Sequence, residues 1–120
     1  MVQPFMPRIL DEGEFSLFYF NGKYSHCILK VPAGGEFRCQ EERGGAIRAV
    51  QPADEMKSLG QRVLAALDRT PLYARIDIIR GETGGFLLME LELVEPSLYL
   101  KATPLAPQRF AAAIDRWFAD

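Results

Sequence analysis

The chain has 120 residues, which is enough for one domain with a hydrophobic core and too few for two domains of ordinary size. Hydrophobic residues make up 48% and charged residues 25%, as in a typical soluble globular protein. The formal net charge of −2 gives no reason to expect nucleic acid or an anionic membrane as a partner.

Cysteine use and the N-terminal sequence predict a cytoplasmic protein. Cys27 and Cys39 have no metal-binding spacing with the single histidine, His26, and nothing demands a disulfide between them. We therefore expect reduced thiols. The first residues do not resemble a signal peptide, and no stretch approaches the ~20 apolar residues that a membrane helix needs.

The N-terminal half begins with a predicted β-hairpin. Residues 15–20 and 24–31 are rich in aromatic and β-branched residues, and they flank Asn21-Gly22, the pair that most readily adopts two positive φ angles in a tight turn. The polar stretch from Pro32 to Gly45 contains two glycine pairs and predicts a long mobile loop. A loop of this length in a small domain is usually either functional or disordered.

The rest of the chain predicts a helix, a second hairpin and a last helix. Residues 53–68 have apolar side chains at helical spacing, and strands are expected at 73–80 and 86–94. Pro107 opens a helix whose apolar face needs a partner surface; that face contains Phe110, Ile114, Trp117 and Phe118. The fold class is therefore α+β: a single domain over residues 1–120, with an antiparallel β-sheet and helices packed on one face.

Acidic residues stand out in the second hairpin. Glu90 and Glu92 alternate with apolar residues, which by itself is typical of a half-buried strand with one wet face. Asp77, however, lies between isoleucines in a strand, where aspartate is disfavoured. If Gly81 opposes Phe86, Asp77 stands directly opposite Glu90 on the same face.

Like charges at opposed positions destabilise a sheet. A hard divalent cation, Mg²⁺ or Mn²⁺, would neutralise this cluster, because such ions take carboxylate and phosphate oxygens as ligands. Raised pKa values in one or more of the acids are the alternative interpretation.

The run MELELVEPSLYL, preceded by YARIDII, resembles the metal-binding end of the ATP-grasp enzymes in their glutathione synthetase branch. Asp77 matches the first acid of that motif and Glu90 matches its Glu. Glu92 falls where the family often has Asn, and Pro96 keeps the spacing. The resemblance implies that Asp77, Glu90 and Glu92 bind the metal, and the Glu-for-Asn departure makes the site more anionic.

The resemblance extends over nearly the whole chain. The segment Val2 to Pro7 is similar to the hinge that carries adenine, which implies that Gln3, Pro4 and Phe5 bind the nucleotide. The segment from Lys30 to Arg38 is similar to the basic strand and closing loop of the family. Lys30 and Arg38 would then act on the phosphate or acyl phosphate, although each can equally be a solvated surface charge.

By resemblance, ATP phosphorylates a carboxylate, and an amine attacks the acyl phosphate to form an amide-like bond. Complete enzymes of the family also have an N-terminal lobe and a substrate domain. We expect both to be absent from this chain, which would then be inactive alone and would self-associate or pair with the N-terminal lobe. The alternative is a stand-alone, non-catalytic binding or assembly module that keeps the fold.

Arg75 and His26 each have two interpretations. Arg75 lies on the Asp77 face and is either a phosphate ligand or, more simply, the partner of a salt bridge to Asp77 or Glu90. His26 has strand spacing and is better explained as a sheet residue than as a catalytic base.

Overall fold

The computed structural model describes residues 12–31, 46–81, 84–93 and 97–119. Five strands, two α-helices and a short 3₁₀ turn at Leu100–Ala102 occur in this part of the chain. In chain order the strands and α-helices are β1 (Glu14–Phe20), β2 (Lys23–Val31), β3 (Ala46–Ala49), α1 (Asp54–Ala65), β4 (Tyr73–Arg80), β5 (Phe86–Glu92) and α2 (Ala106–Ala119).

The strands form one antiparallel sheet in the order β3-β2-β1-β4-β5. The predicted hairpin between β1 and β2 is confirmed, and both turn residues have positive φ, 53° at Asn21 and 81° at Gly22. A bulge in β2 leaves Ser25 without an opposite residue, because Phe18 pairs with His26 and Tyr19 with Tyr24. β1 is central and is paired on both sides.

Helix α1 packs on the face of the sheet that carries Phe15, Leu17 and Tyr19. Its buried residues Met56 and Leu64 join these side chains in the hydrophobic core, together with Ala74, Ile76 and Ile78 of β4. Gly60 is where the helix comes closest, since a Cβ there would lie 2.2 Å from Tyr19 Oη. The hydroxyl of Tyr19 donates to the carbonyl of Lys57 at 3.1 Å.

Helix α2 packs on the opposite face. The ring of Phe110 lies 4.9 Å from that of Phe20 and 6.3 Å from that of Tyr73, centroid to centroid. The α+β class and the antiparallel sheet are confirmed, but the helices lie on two faces rather than one. The reason is that β1 is buried on both sides: Phe18 and Phe20 need cover as much as Leu17 and Tyr19 do.

Several sequence predictions differ in detail from the structure. Strand β3 was not predicted, and β5 ends at Glu92 rather than at residue 94. On α2, Phe110 and Ile114 are partly buried as expected, whereas Trp117 and Phe118 are 42% and 77% exposed. The predicted loop at 32–45 and Cys39 lie outside the described residues. Within the described residues, no helix is both long enough and apolar enough to span a membrane.

Candidate functional site

The register of β4 and β5 brings the predicted acids to one face. Asp77 pairs with Glu90, and Arg75 pairs with Glu92. Near the turn the register is offset by one residue from the predicted one, because Arg80 rather than Gly81 opposes Phe86. A bulge between Asp77 and Ile78, which Met89 fills, restores the predicted pairing.

Asp77 is the buried centre of this face, with 1% of its surface exposed. Its Oδ1 accepts hydrogen bonds from Ser16 Oγ at 2.6 Å and from Arg75 Nε at 3.2 Å. Its Oδ2 accepts from Arg75 Nη2 at 3.0 Å. A buried carboxylate is stable only when it is paired and hydrogen-bonded, and β1 and β4 together supply what Asp77 needs.

Arg75 connects the three acids. Its Nη2 lies 3.6 Å from Glu90 Oε2 and 3.7 Å from Glu92 Oε2, in addition to its contact with Asp77. Burial by itself lowers the pKa of Arg75, but the facing carboxylates of Asp77, Glu92 and Glu90 raise it above the usual value. The structure therefore contains the salt bridges that the simpler interpretation of Arg75 predicts, to Asp77 and to Glu90.

Glu90 is the most exposed of the three acids. Its side chain is 56% exposed, against 35% for Glu92. Burial of its carboxylate raises the pKa of Glu90, the neighbouring Asp77 and Glu92 raise it further, and Arg75 opposes them. The cluster has three carboxylates and one guanidinium, so repulsion among the acids is only partly compensated.

Among the described residues, no group of three or more His, Cys, Asp or Glu side chains is already arranged as a metal site. The Arg75 guanidinium lies among the carboxylates and donates hydrogen bonds to both oxygens of Asp77. The donor set still fits Mg²⁺ or Mn²⁺, since all three groups are carboxylates and Glu90 and Glu92 reach solvent. Their role as metal ligands stays a prediction.

A second ion pair lies on the same face. Lys30 Nζ is 3.1 Å from Glu14 Oε1, and the two side chains are 8% and 19% exposed. Burial raises the pKa of Glu14, the nearby Lys30 lowers it, and the charge of Asp77 raises it further. The Glu14–Lys30 pair is therefore electrostatically coupled to Asp77. The predicted residue Lys30 therefore belongs to the same polar surface as Asp77, Glu90 and Glu92.

The sequence prediction missed Glu14 and Ser16. Both lie on the Asp77 face of β1, where Ser16 pairs with Asp77 and Glu14 pairs with Lys30. The available signal was the alternation of Glu14 and Ser16 with apolar residues in the first half of β1. The predicted residues Arg38, Gln3, Pro4 and Phe5 lie outside the described residues, and the structure does not place them.

His26 holds the segment that follows β5. Its Nε2 donates to the carbonyl of Leu98 at 2.9 Å, so its Nδ1 accepts from Ser25 Oγ at 2.8 Å. The ring stacks on Phe18, with centroids 4.4 Å apart, and is 4% exposed. Burial lowers the pKa of His26. These contacts agree with the interpretation of His26 as a sheet residue.

Known proteins resemble the chain in sequence. It is 32% identical over 124 residues to the cycloserine biosynthesis protein DcsG of Streptomyces lavendulae, covering 95% of this chain and 40% of DcsG. It is 27% identical over 118 residues to the glutathione synthetase of Thermosynechococcus vestitus, covering 98% of this chain and 35% of that protein. No protein-family model matches the chain. The chain thus spans well under half the length of these relatives.

Solved structures resemble it as well. The crystal structure of the D-cycloserine synthetase DcsG has a TM-score of 0.82 at 30% identity, over 96% of this chain and 41% of that one. The ATP-grasp ligase PsnB, complexed with a minimal precursor, has a TM-score of 0.62 at 18% identity, over 86% of this chain and 34% of its own, and supports the fold alone.

The five-stranded antiparallel sheet with its two helices matches the C-terminal lobe of the ATP-grasp fold. The chain belongs to the ATP-grasp superfamily and corresponds to part of these longer relatives, which include a glutathione synthetase.

Proposed function

We propose that this chain is the ATP- and Mg²⁺-binding lobe of an ATP-dependent carboxylate–amine ligase that works through an acyl phosphate. The observation that carries the proposal is the cluster of Asp77, Glu90 and Glu92 around Arg75 on one face of the sheet. The names of the relatives agree with it, since they include synthetases and a ligase.

The three acids would hold Mg²⁺ or Mn²⁺ together with nucleotide phosphates. The cation would neutralise charge on the transferred phosphoryl group, which is the main requirement for catalysis of this reaction. Asp77 is fixed by Ser16 and Arg75 and would orient the cluster, whereas Glu90 and Glu92 are exposed enough to meet a ligand.

Arg75 would bind a phosphate oxygen. It uses Nε and Nη2 on Asp77, which holds the planar guanidinium in one orientation and directs its remaining donors. A fixed cation beside the transferred group stabilises charge without reorganisation during the reaction. Lys30, held by Glu14 on the same face, would add positive charge to the phosphate or acyl phosphate, as would Arg38.

The adenine would contact the segment with Gln3, Pro4 and Phe5, by resemblance to the hinge of the family. The substrates would be a small carboxylate and a small amine. Pairing with an N-terminal lobe would complete the nucleotide site, because positioning supplies most of the catalysis in phosphoryl transfer.

One observation favours a second candidate, a non-catalytic binding module. Arg75 already supplies a cation to the acids, so the cluster has partial charge compensation from the chain itself. In such a module the cluster would serve stability and would not need a metal.

Thermal unfolding in the presence of Mn²⁺ distinguishes the two candidates. In the ligase lobe, millimolar Mn²⁺ raises the melting temperature of the chain by linkage, and ATP increases the gain. Glu90→Gln removes most of that gain while leaving the buried Asp77–Arg75 pair in place. The matched control is Glu55→Gln, an exposed acid in the first turn of α1. An equal Mn²⁺ response in both variants, or none in the unmodified chain, contradicts the ligase proposal.

A further inference from the structure

We propose that the groove between the β1–β2 hairpin and α2 binds a small organic anion with an apolar body, of the aromatic carboxylate class. This site is separate from the acid cluster and does not depend on the ligase function. It lies near Phe20, which is four residues along β1 from Ser16, or about 13 Å at the rise of a strand.

The groove has a volume of about 280 Å³, just below the ~300 Å³ at which pockets for drug-sized ligands begin, so it suits a smaller molecule such as a single substituted ring. Its floor is made of Phe20, Ser25 and Ala113, which are 3%, 2% and 4% exposed. Tyr24 lines it as well, and burial raises the pKa of this tyrosine to about 12, so its hydroxyl remains neutral at physiological pH. A floor of this kind suits an apolar ring or branched chain.

The charged groups around the groove all have one sign. Lys23, Arg109 and Arg116 line it, and no acid is among its described lining residues. Like charges that converge on a concave surface repel one another, and a bound anion relieves that repulsion.

Arg109 is held in place before any ligand binds. Its Nη1 donates to the backbone carbonyl of Ser25, at the bulge of β2. The other N–H groups of its guanidinium are then available for a carboxylate, in the planar geometry that such pairs prefer. A cation that is already oriented loses less conformational entropy when it binds.

The helix presents its groove residues as one face. Arg109, Ala112, Ala113 and Arg116 have the spacing i, i+3, i+4 and i+7, so the two guanidinium groups flank a pair of alanines. Asp115 is an acidic residue of the same helix, but its position six residues after Arg109 places it outside that face. The apolar body of a ligand would therefore lie on the alanines, with its charge directed toward the arginines.

Benzoate is a suitable probe, and amide chemical shifts of the full chain are the measurement. We expect saturable shifts at Phe20, Ser25 and Ala113, weakened by added salt. Arg116→Gln, at an exposed helical position, is expected to weaken benzoate binding about tenfold. The matched control is Arg62→Gln on α1, which should bind benzoate like the unmodified chain.

Two further probes separate the parts of the proposal. Benzyl alcohol has the ring without the charge and should bind much more weakly than benzoate; inorganic phosphate has charge without the apolar body and should also bind more weakly. Phosphate binding as tight as that of benzoate would overturn the apolar part. Equal benzoate affinity in Arg116→Gln and Arg62→Gln, or no saturable shift at the floor residues, would overturn the site itself.

Discussion

The carboxylates of Asp77 and Glu90 occupy directly opposed positions on β4 and β5, and Arg75 Nη2 contacts both, at 3.0 Å and 3.6 Å. Two acids at opposed positions would destabilise the sheet without that guanidinium. The bond to Asp77 is a partly buried, charge-assisted hydrogen bond, whereas the contact with Glu90 is longer and more exposed. The two acids therefore have different roles: Asp77 fixes the arginine, and Glu90 faces solvent.

We expect Asp77→Ala to destabilise the chain by about 3 kcal/mol, the lower end of the range for breaking a buried ion pair. The substitution leaves Arg75 without its closest carboxylate and Ser16 Oγ without its acceptor. Urea unfolding measures the change, with Asp68→Ala at an exposed position as the control. A loss equal to that of the control would show that the Asp77 network contributes nothing to stability.

Glu90→Gln should raise the melting temperature slightly in the absence of metal. Three carboxylates surround one guanidinium, and removing the charge of the most exposed one relieves repulsion while Asp77 keeps Arg75 paired. The effect should shrink with added salt, because the site is partly open to solvent. Scanning calorimetry at low and high salt measures it, and a clear decrease in melting temperature would contradict the interpretation.

The sequence was sufficient to place Asp77, Glu90 and Glu92 on one face, because alternation in a strand depends only on local geometry. The pairing of Asp77 with Glu90 was also predicted correctly, but the predicted turn was one residue off and the Met89 bulge compensated for it. Bulges leave no clear mark in a single sequence, so this register could not be derived in full.

The placement of α2 could not be predicted, because it depends on which face of β1 lacks cover. The run from Leu17 to Phe20 is apolar at every position, which is a signal for burial on both faces. The contact between Arg75 and all three acids needed tertiary structure as well. An arginine two residues from an aspartate in a strand indicates only that the two share a face.

Gly60→Ala should destabilise the chain by about 1–3 kcal/mol, although alanine is the better helix former by roughly 1 kcal/mol. The added Cβ would lie 2.2 Å from Tyr19 Oη and 2.7 Å from its Cζ, so either the ring or the helix must shift. Ser58→Ala on the exposed side of the same helix is the control and should be neutral or slightly stabilising. Equal stability of Gly60→Ala and Ser58→Ala would contradict the close contact.

Stability should fall as the pH decreases below about 6.5, and His26 should be the cause. Burial lowers the pKa of His26 in the folded chain, so the unfolded chain binds more protons in the window between the lowered value and the unperturbed one. Unfolding free energy therefore rises with pH in that window. Above the unperturbed pKa, His26 is neutral in both the folded and the unfolded chain, so it no longer changes the unfolding free energy with pH.

Urea unfolding between about pH 5 and pH 7.5 tests this prediction. His26 is the only histidine in the chain, so His26→Gln removes the group that normally titrates in this range. The variant loses the ring that stacks on Phe18 and is expected to be less stable at every pH, but its stability should depend less on pH. The informative quantity is therefore the slope. Parallel curves for the two proteins would show that His26 is not the group responsible.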